Sequence, residues 1–217
     1  MKTISIFLLT ASLGLVLPFS AHALDDKEKI SMVFEDMHPR SAPSNSNAVP
    51  QMDSLPEYGK GCTVAITGVR DLRKNRDTAG GSSFSLEMYA NHAPLGMRSV
   101  SSGDAAGWLA GAADSLKQYA FVVQRTAAHE FATGTVPAAL ALRIAHAWNA
   151  GMNLNAHIVL EADFTTSNGH VVKRYHGFGA KTNMWNGTGE YMTALNYAMT
   201  ESMEMLAKDA SGFCRGT

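Results

Sequence analysis

The chain has 217 residues, and its 18 Lys and Arg nearly balance its 19 Asp and Glu, which leaves a formal net charge of -1. This balance argues against the clustered basic surface that nucleic-acid binding needs, and we expect no nucleic-acid partner. Beyond the first 23 residues no apolar run reaches the roughly 18 residues of a membrane-spanning helix. The remaining length suits one domain with a short N-terminal extension.

Residues 1–23 have the pattern of a secretory signal peptide. Lys2 precedes an apolar run from Ile4 to Leu17, and the Ala-His-Ala sequence at 21–23 matches a small-residue cleavage site. We therefore expect cleavage after Ala23 and export to the periplasm. Because no cysteine lies near that site, lipid attachment is not expected, and membrane or outer-membrane association would go through partners.

Residues 24–60 are predicted to form a flexible N-terminal extension. Four prolines and many Ser and Asn residues lie between His38 and Pro56, a composition that cannot bury enough surface to order itself. A short apolar patch before them contains Ile30, Met32, Val33 and Phe34. It is interpreted either as a frayed helical turn or as an anchor for another protein. The folded domain is predicted over residues 61–217.

A half-buried strand is predicted at the start of this domain, because Cys62, Val64 and Ile66 alternate with Thr and Ala. A charged loop follows the strand and offers a docking surface for a partner. Its candidate partner-binding residues are Arg70, Asp71, Arg73, Lys74, Arg76 and Asp77. The alternative is a solvated loop whose charges pair with one another.

Residues 84–88 alternate again and predict a second strand. Ser101 and Asp104 match a capping box that opens a helix through about Gln118. A short strand is expected over residues 119–124.

Three antiparallel strands are predicted next, over Ala138–Trp148, Asn153–Phe164 and Val171–Ala180. The alternation of apolar and polar residues is clearest in the second of them. In the first of these strands, the period places five residues on one buried face. They are Leu140, Leu142, Ile144, His146 and Trp148.

The Asn-Gly pair at 168–169 predicts a tight hairpin between the last two strands. A two-residue loop made of this pair would place Asp163 opposite Arg174. A three-residue loop would place Asp163 opposite Lys173. We favour the first register, because Asn-Gly suits a type I′ turn.

A final helix is predicted from about Thr188 to Asp209, and one face of it would cover the sheet. That face contains Tyr191, Leu195, Ala198, Met199, Ser202 and Leu206. The element order predicts an α+β two-layer sandwich, with a mainly antiparallel sheet of about four to five strands and two helices packed on one face.

Cys62 and Cys214 lie near the two ends of the predicted domain. An even number of cysteines in an exported protein favours a disulfide, so we expect this pair to be bridged rather than to be two buried thiols. Neither cysteine has a ligand partner at metal-binding spacing. No metal site and no cofactor are predicted.

No catalytic residue is predicted either. The histidines lack the H-E-x-x-H spacing of a zinc site, and no G-x-S-x-G motif marks a nucleophile. His146 is expected to be a core histidine, whereas His157 and His176 are expected to face solvent on their strands.

Several short segments resemble the YajG-like family of bacterial envelope lipoproteins and, more distantly, the auxiliary lipoproteins of envelope transport systems. They are Val64-Ala65-Ile66 running into Val69-Arg70-Asp71, the small-residue helix at 108–116, Lys173-x-Tyr175-x-Gly177, and the terminal stretch 194–209. The resemblance implies an envelope-located, non-enzymatic protein. Members of that family carry a lipidated cysteine, which this chain lacks, so a soluble periplasmic or complex-bound role fits better.

The function predicted from the sequence is therefore that of an exported, non-catalytic periplasmic protein. It would bind envelope proteins as an accessory or structural component of a transport or secretion assembly. One alternative is a periplasmic hydrolase that uses His and Glu residues of the hairpin. Another is a protein that binds a small ligand between the sheet and the helices.

Overall fold

The computed structural model describes residues 28–38, 55–82, 98–127, 130–150, 153–182 and 188–215. Within these ranges the strands are β1 (Glu28–Lys29), β2 (Thr63–Asp71), β3 (Thr78–Ser82), β4 (Arg98–Ser101), β5 (Val122–Arg125), β6 (Thr135–Ala150), β7 (Asn153–Thr166) and β8 (Gly169–Thr182). The helices are α1 (Ala105–Asp114), continued by a 3-10 turn (Ser115–Tyr119), and α2 (Thr188–Arg215). The predicted signal peptide and the predicted strand at 84–88 lie outside the described residues.

The described strands form one sheet around the long strand β6. One edge of β6 pairs antiparallel with β7, and β7 pairs antiparallel with β8, in the two longest pairings. Along its other edge β6 pairs parallel with β2 and then with the short β3. The five strands β5-β2-β6-β7-β8 form the body of the sheet, and β3, β4 and β1 extend it. Since α1 and α2 pack on one face, the predicted α+β sandwich is confirmed.

Helix α1 begins one turn later than the capping-box pattern predicts. The residue before the helix is Asp104, and its side chain caps the helix by accepting a hydrogen bond of 2.8 Å from the Gly107 N–H. The Trp108 indole donates to Asn196 Oδ1 at 2.8 Å in the core, which ties α1 to α2. Neither described helix has both the length and the apolar character needed to cross a membrane.

Helix α2 buries all six residues of its predicted face and continues to Arg215. Its last turn brings Cys214 to bonding distance of Cys62, just before β2, with 6.1 Å between the two Cα atoms. That separation is typical of disulfides, so the predicted bridge is present. It connects the two ends of the fold.

Two glycines let α2 lie directly on the backbone of β8. A Cβ atom added at Gly177 would overlap the Ala198 carbonyl oxygen, and one added at Gly179 would overlap the Ala194 carbonyl oxygen. Only glycine permits so close an approach of a helix to a strand. These contacts set the height of α2 above the edge of the sheet.

Residues 28–38, which we call the N-terminal strap, pack on the helices instead of extending away from the domain. Ile30 is only 1% exposed and belongs to the core. Asn196 Nδ2 donates to the Val33 carbonyl, and the Met37 N–H donates to Thr200 Oγ1. The predicted flexible extension is therefore wrong for this part of 24–60, because the Pro-rich composition begins only after the strap; residues 39–54 lie outside the described residues.

Candidate functional site

A β-bulge at Arg143 changes which residues of β6 face the helices. Leu142 lies opposite Leu160, but Ile144 lies opposite Val159, so Arg143 is an extra residue in the pairing with β7. Because side chains alternate with a period of two, one extra residue exchanges the two faces of the strand. After the bulge Ala145, not Ile144, is buried in the core.

The predicted core position of Ile144, His146 and Trp148 is therefore wrong. Their side chains project from the face of the sheet that α1 and α2 leave uncovered, where they meet residues of β7 and β8. We call this group the aromatic-histidine patch, and it consists of Ile144, His146, Trp148, His157, His176 and Phe178.

The rings of the patch contact one another across three strands. His146 lies directly opposite His157, and His157 lies opposite Phe178. Trp148 stacks on His146 with 5.8 Å between ring centroids, and it meets His157 edge-on at 5.6 Å. Trp148 also approaches Phe178 at 6.5 Å, and His176 lies 5.4 Å from His157. Such separations and tilts are those of favourable aromatic pairs.

Much of this apolar surface faces solvent. Phe178 is 53% exposed and Ile144 is 41% exposed. Exposed apolar residues scattered singly need no explanation, but a contiguous group on an open sheet face is typical of a binding surface.

The surroundings of two patch histidines favour the neutral imidazole. Loss of hydration within the ring cluster lowers the pKa of His146 below its usual value. The pKa of His157 is lowered by the same desolvation and further by the neighbouring imidazoles of His146 and His176. Near pH 7 these two rings add polarisable surface rather than charge.

These lowered pKa values predict an acid-sensitive contribution to stability. Below about pH 6.5 the unfolded chain takes up protons at these histidines more readily than the folded chain, so the free energy of unfolding should fall with falling pH. Between pH 7.5 and pH 5.5, we expect the free energy of unfolding, measured in urea, to fall less in the double variant His146→Gln/His157→Gln than in the unchanged protein. Equal losses in both proteins would contradict this account of the patch.

A network of charged side chains borders the patch. Glu161 of β7 accepts a hydrogen bond of 2.6 Å from Arg143 and another of 2.8 Å from Arg174. The bond from Arg143 is the main reason that the pKa of Glu161 lies below its usual value. The bulge residue is thus fixed by a carboxylate on the neighbouring strand.

The hairpin between β7 and β8 has neither of the two predicted registers. Its loop residues are Ser167 and Asn168, and Thr166 lies opposite Gly169. Gly169 has a φ of +109°, so the glycine is used for the first residue of β8 and not inside the loop. The Thr166 hydroxyl closes the turn by donating to the Gly169 carbonyl at 2.9 Å.

The structure does not pair Glu161 with His157 or His176, the residues considered for a hairpin hydrolase, although it does pair His170 with Asp163 at 3.0 Å. A histidine acting as a base is oriented by a carboxylate, but Glu161 is held by two arginines. His157 and His176 contact each other and aromatic rings instead. Among the described residues, no set of three or more His, Cys, Asp and Glu side chains is placed to hold a metal ion.

The charged loop after β2 divides into a buried and an exposed part. Arg73 is only 4% exposed, and its guanidinium forms two hydrogen bonds, of 2.9 and 2.8 Å, with the Asp71 carboxylate. Burial opposes ionisation of Asp71, but the bonds from Arg73 outweigh it and hold the pKa below its usual value. Arg73 also donates to Ser102 Oγ, so this pair fastens the loop to the domain.

Four of the candidate partner-binding residues remain on the surface. They are Arg70, Lys74, Arg76 and Asp77. A docking role for these four stays a prediction, whereas the Asp71–Arg73 pair matches the alternative of an internal ion pair.

Comparison with known proteins finds distant similarity to solved structures. No family model and no curated protein sequence matches the chain. Among solved structures, a DUF330 protein from Xanthomonas campestris is similar, with 12% identity and a TM-score of 0.47 over 88% of this chain and 97% of that chain. An uncharacterized protein is also similar, with 10% identity and a TM-score of 0.47 over 72% of this chain and 95% of that chain. The YajG-like resemblance stays a prediction.

Proposed function

We propose that the chain is an exported, non-catalytic periplasmic protein that acts by protein binding, as an accessory or structural component of a cell-envelope transport or secretion assembly. The observation that carries the proposal is the aromatic-histidine patch on the open face of the sheet. Aromatic side chains are enriched in protein interfaces because a few of them supply most of the binding energy.

The chemistry of the patch indicates the kind of partner. Trp148 and Phe178 offer apolar area, and the lowered pKa values of His146 and His157 reduce the charge that would have to be desolvated. The Glu161 network beside it supplies a polar rim, as in other interfaces. We therefore expect a partner protein that presents an apolar or aromatic surface.

The proposed location follows from the sequence and agrees with the cysteine chemistry. Residues 1–23 have the signal-peptide pattern, and a bridge between Cys62 and Cys214 suits an oxidising compartment. Contact with the outer membrane would go through partners, in contrast to the lipid anchor of the YajG-like proteins that the chain resembles.

The proposal predicts that the patch is required for partner capture. In affinity capture from envelope fractions, the double variant Trp148→Ser/Phe178→Ser should recover at least about tenfold less partner than the unchanged protein, because aromatic anchors at interfaces contribute about 2 kcal/mol or more each. The measurement is the amount of each captured protein, compared between variants by quantitative mass spectrometry.

Val172→Ser is the matched control, because Val172 lies on the same face of β8 and is 55% exposed but is not part of the patch. It should capture the partner as the unchanged protein does. Equal capture by all three proteins would contradict the proposal. If instead a variant with Arg70, Lys74 and Arg76 changed to Glu loses the partner, the charged loop is the contact surface.

A further inference from the structure

Strand β8 forms an edge of the sheet. It has 14 residues and pairs with β7 but with no other described strand. A long edge strand presents main-chain N–H and C=O groups that can pair with an additional strand. Natural proteins protect such edges, and this one has a specific protecting group.

That group is the carboxylate of Glu201 on α2. The Phe178 N–H donates to Glu201 Oε2 at 2.5 Å, away from β7. In an antiparallel pair the N–H and C=O of alternate residues point to the same side. Since the register from Phe178 to Ala180 is unbroken, the main-chain groups of Ala180 also point outward. The Glu201 oxygen therefore occupies the place of a carbonyl oxygen from a neighbouring strand.

A cavity of about 330 Å³ opens beside this protected amide, between the edge of β8, α2 and the N-terminal strap. Its volume is within the range of sites that accept a ligand group. The walls include Ala180, Tyr197, Glu201 and Glu204. His38 forms the strap side of the cavity, and its ring is held between the Asp36 carboxylate and the Tyr119 hydroxyl.

The charge of the cavity is negative. Both Glu201 and Glu204 line it, and neither forms an ion pair with a Lys or Arg among the described residues. The Tyr197 ring lies beside them and adds an aromatic wall. A guanidinium or ammonium group complements such a site by charge and by cation–π attraction.

We propose that the edge of β8 at Phe178 and Ala180 docks an extended segment of a partner protein that carries a lysine or arginine side chain. The backbone of the segment would pair with β8, and one of its carbonyl oxygens would replace Glu201 on the Phe178 N–H. The released Glu201 carboxylate would then join Glu204 in pairing with the basic side chain in the cavity. The site is separate from the aromatic-histidine patch, because it uses the main chain of Phe178 and not its ring.

Two synthetic heptapeptides test the proposal on the full mature chain. Each alternates Thr and Val around a central residue, which is Arg in one and Gln in the other, and binding is followed by fluorescence anisotropy of a labelled peptide. The Arg peptide should bind at least about tenfold more tightly than the Gln peptide, and Glu204→Gln should reduce that preference. Equal affinities, or no binding of either peptide, would overturn the proposal.

Proline substitutions at the edge separate main-chain pairing from charge attraction. Ala180→Pro removes an outward N–H without breaking a bond to β7, and it should abolish binding of the Arg peptide. Val172→Pro removes an outward N–H further along the same edge, since Val172 has the same orientation as Phe178, and it should leave binding unchanged. Equal effects of the two substitutions would show that docking at this position is wrong.

Hydrogen exchange at the Phe178 amide provides a readout that does not depend on proline. Glu201→Ala should speed exchange of this amide, because its acceptor is removed. Addition of the Arg peptide should restore protection in that variant. If exchange stays fast with saturating peptide, Glu201 only protects the edge and no strand docks there.

Discussion

Loss of the disulfide between Cys62 and Cys214 is expected to lower the free energy of unfolding by about 3–5 kcal/mol. The bridge joins residues 152 positions apart, and in the chain-entropy model a loop of that length gives about 5 kcal/mol as an upper figure. Without the bridge the unfolded chain gains most of this entropy, while the folded chain keeps its sheet and helices. The prediction therefore concerns stability rather than a change of fold.

Urea unfolding of the oxidised protein, the reduced protein and the double variant Cys62→Ser/Cys214→Ser measures the effect by linear extrapolation. The reduced protein and the double variant should share a lower midpoint urea concentration. The dependence of their unfolding free energy on urea concentration should be steeper, because their unfolded state is more expanded. Reductant should leave the variant unchanged, which is the control for other effects of the reagent. An unchanged midpoint after reduction would mean that the native contacts at the ends of the fold compensate for the bridge.

The sequence predicted this disulfide because export and an even cysteine count both point to it. Local sequence patterns predicted α2, whose apolar residues recur regularly over many turns. They also predicted the three strands that follow one another between residues 135 and 182. These elements depend on residues close together in the chain, so periodicity was enough to find them.

The aromatic-histidine patch could not be predicted from periodicity, because the alternation of residues along β6 does not show that one residue is inserted as a bulge. Ala145 and Ala147 are small enough for either face of the sheet, and the larger apolar residues Ile144 and Trp148 indicate the buried face, on which they do not lie. The only sequence signal is Arg143, a charged residue within an apolar strand. Its partner Glu161 lies on the next strand, so the bulge is settled by a contact that no local pattern contains.

The pairing of strands that are distant in the chain could not be predicted from the sequence either. Strand β2 pairs parallel with both β5 and β6, and nothing in the alternation of Cys62, Val64 and Ile66 indicates which strands will lie beside it. The strap was missed for another reason. Composition averaged over 24–60 is dominated by the Pro-rich stretch, whereas burial of Ile30 depends on core residues that are distant in the chain.

Gly177→Ala is expected to lower the free energy of unfolding by roughly 3 kcal/mol or more, which exceeds the usual effect of a surface substitution. The added Cβ would overlap the main-chain oxygen of Ala198, and it would also meet the Ser202 hydroxyl. A flexible side chain could turn away, but a helix backbone cannot move without lifting α2 from the sheet. The Cys62–Cys214 bridge opposes such a movement at the end of α2, so the strain stays at the contact.

Gly212→Ala, in the same helix, is the control. A Cβ there meets nothing within 4 Å, so alanine should stabilise the helix by up to about 1 kcal/mol. Urea unfolding of the two variants should therefore give midpoints on opposite sides of the unchanged protein. If Gly177→Ala unfolds at the same urea concentration as the unchanged protein, α2 does not rest on the backbone of β8. The cavity between α2 and the edge of β8 would then need a different geometry, because its walls depend on that contact.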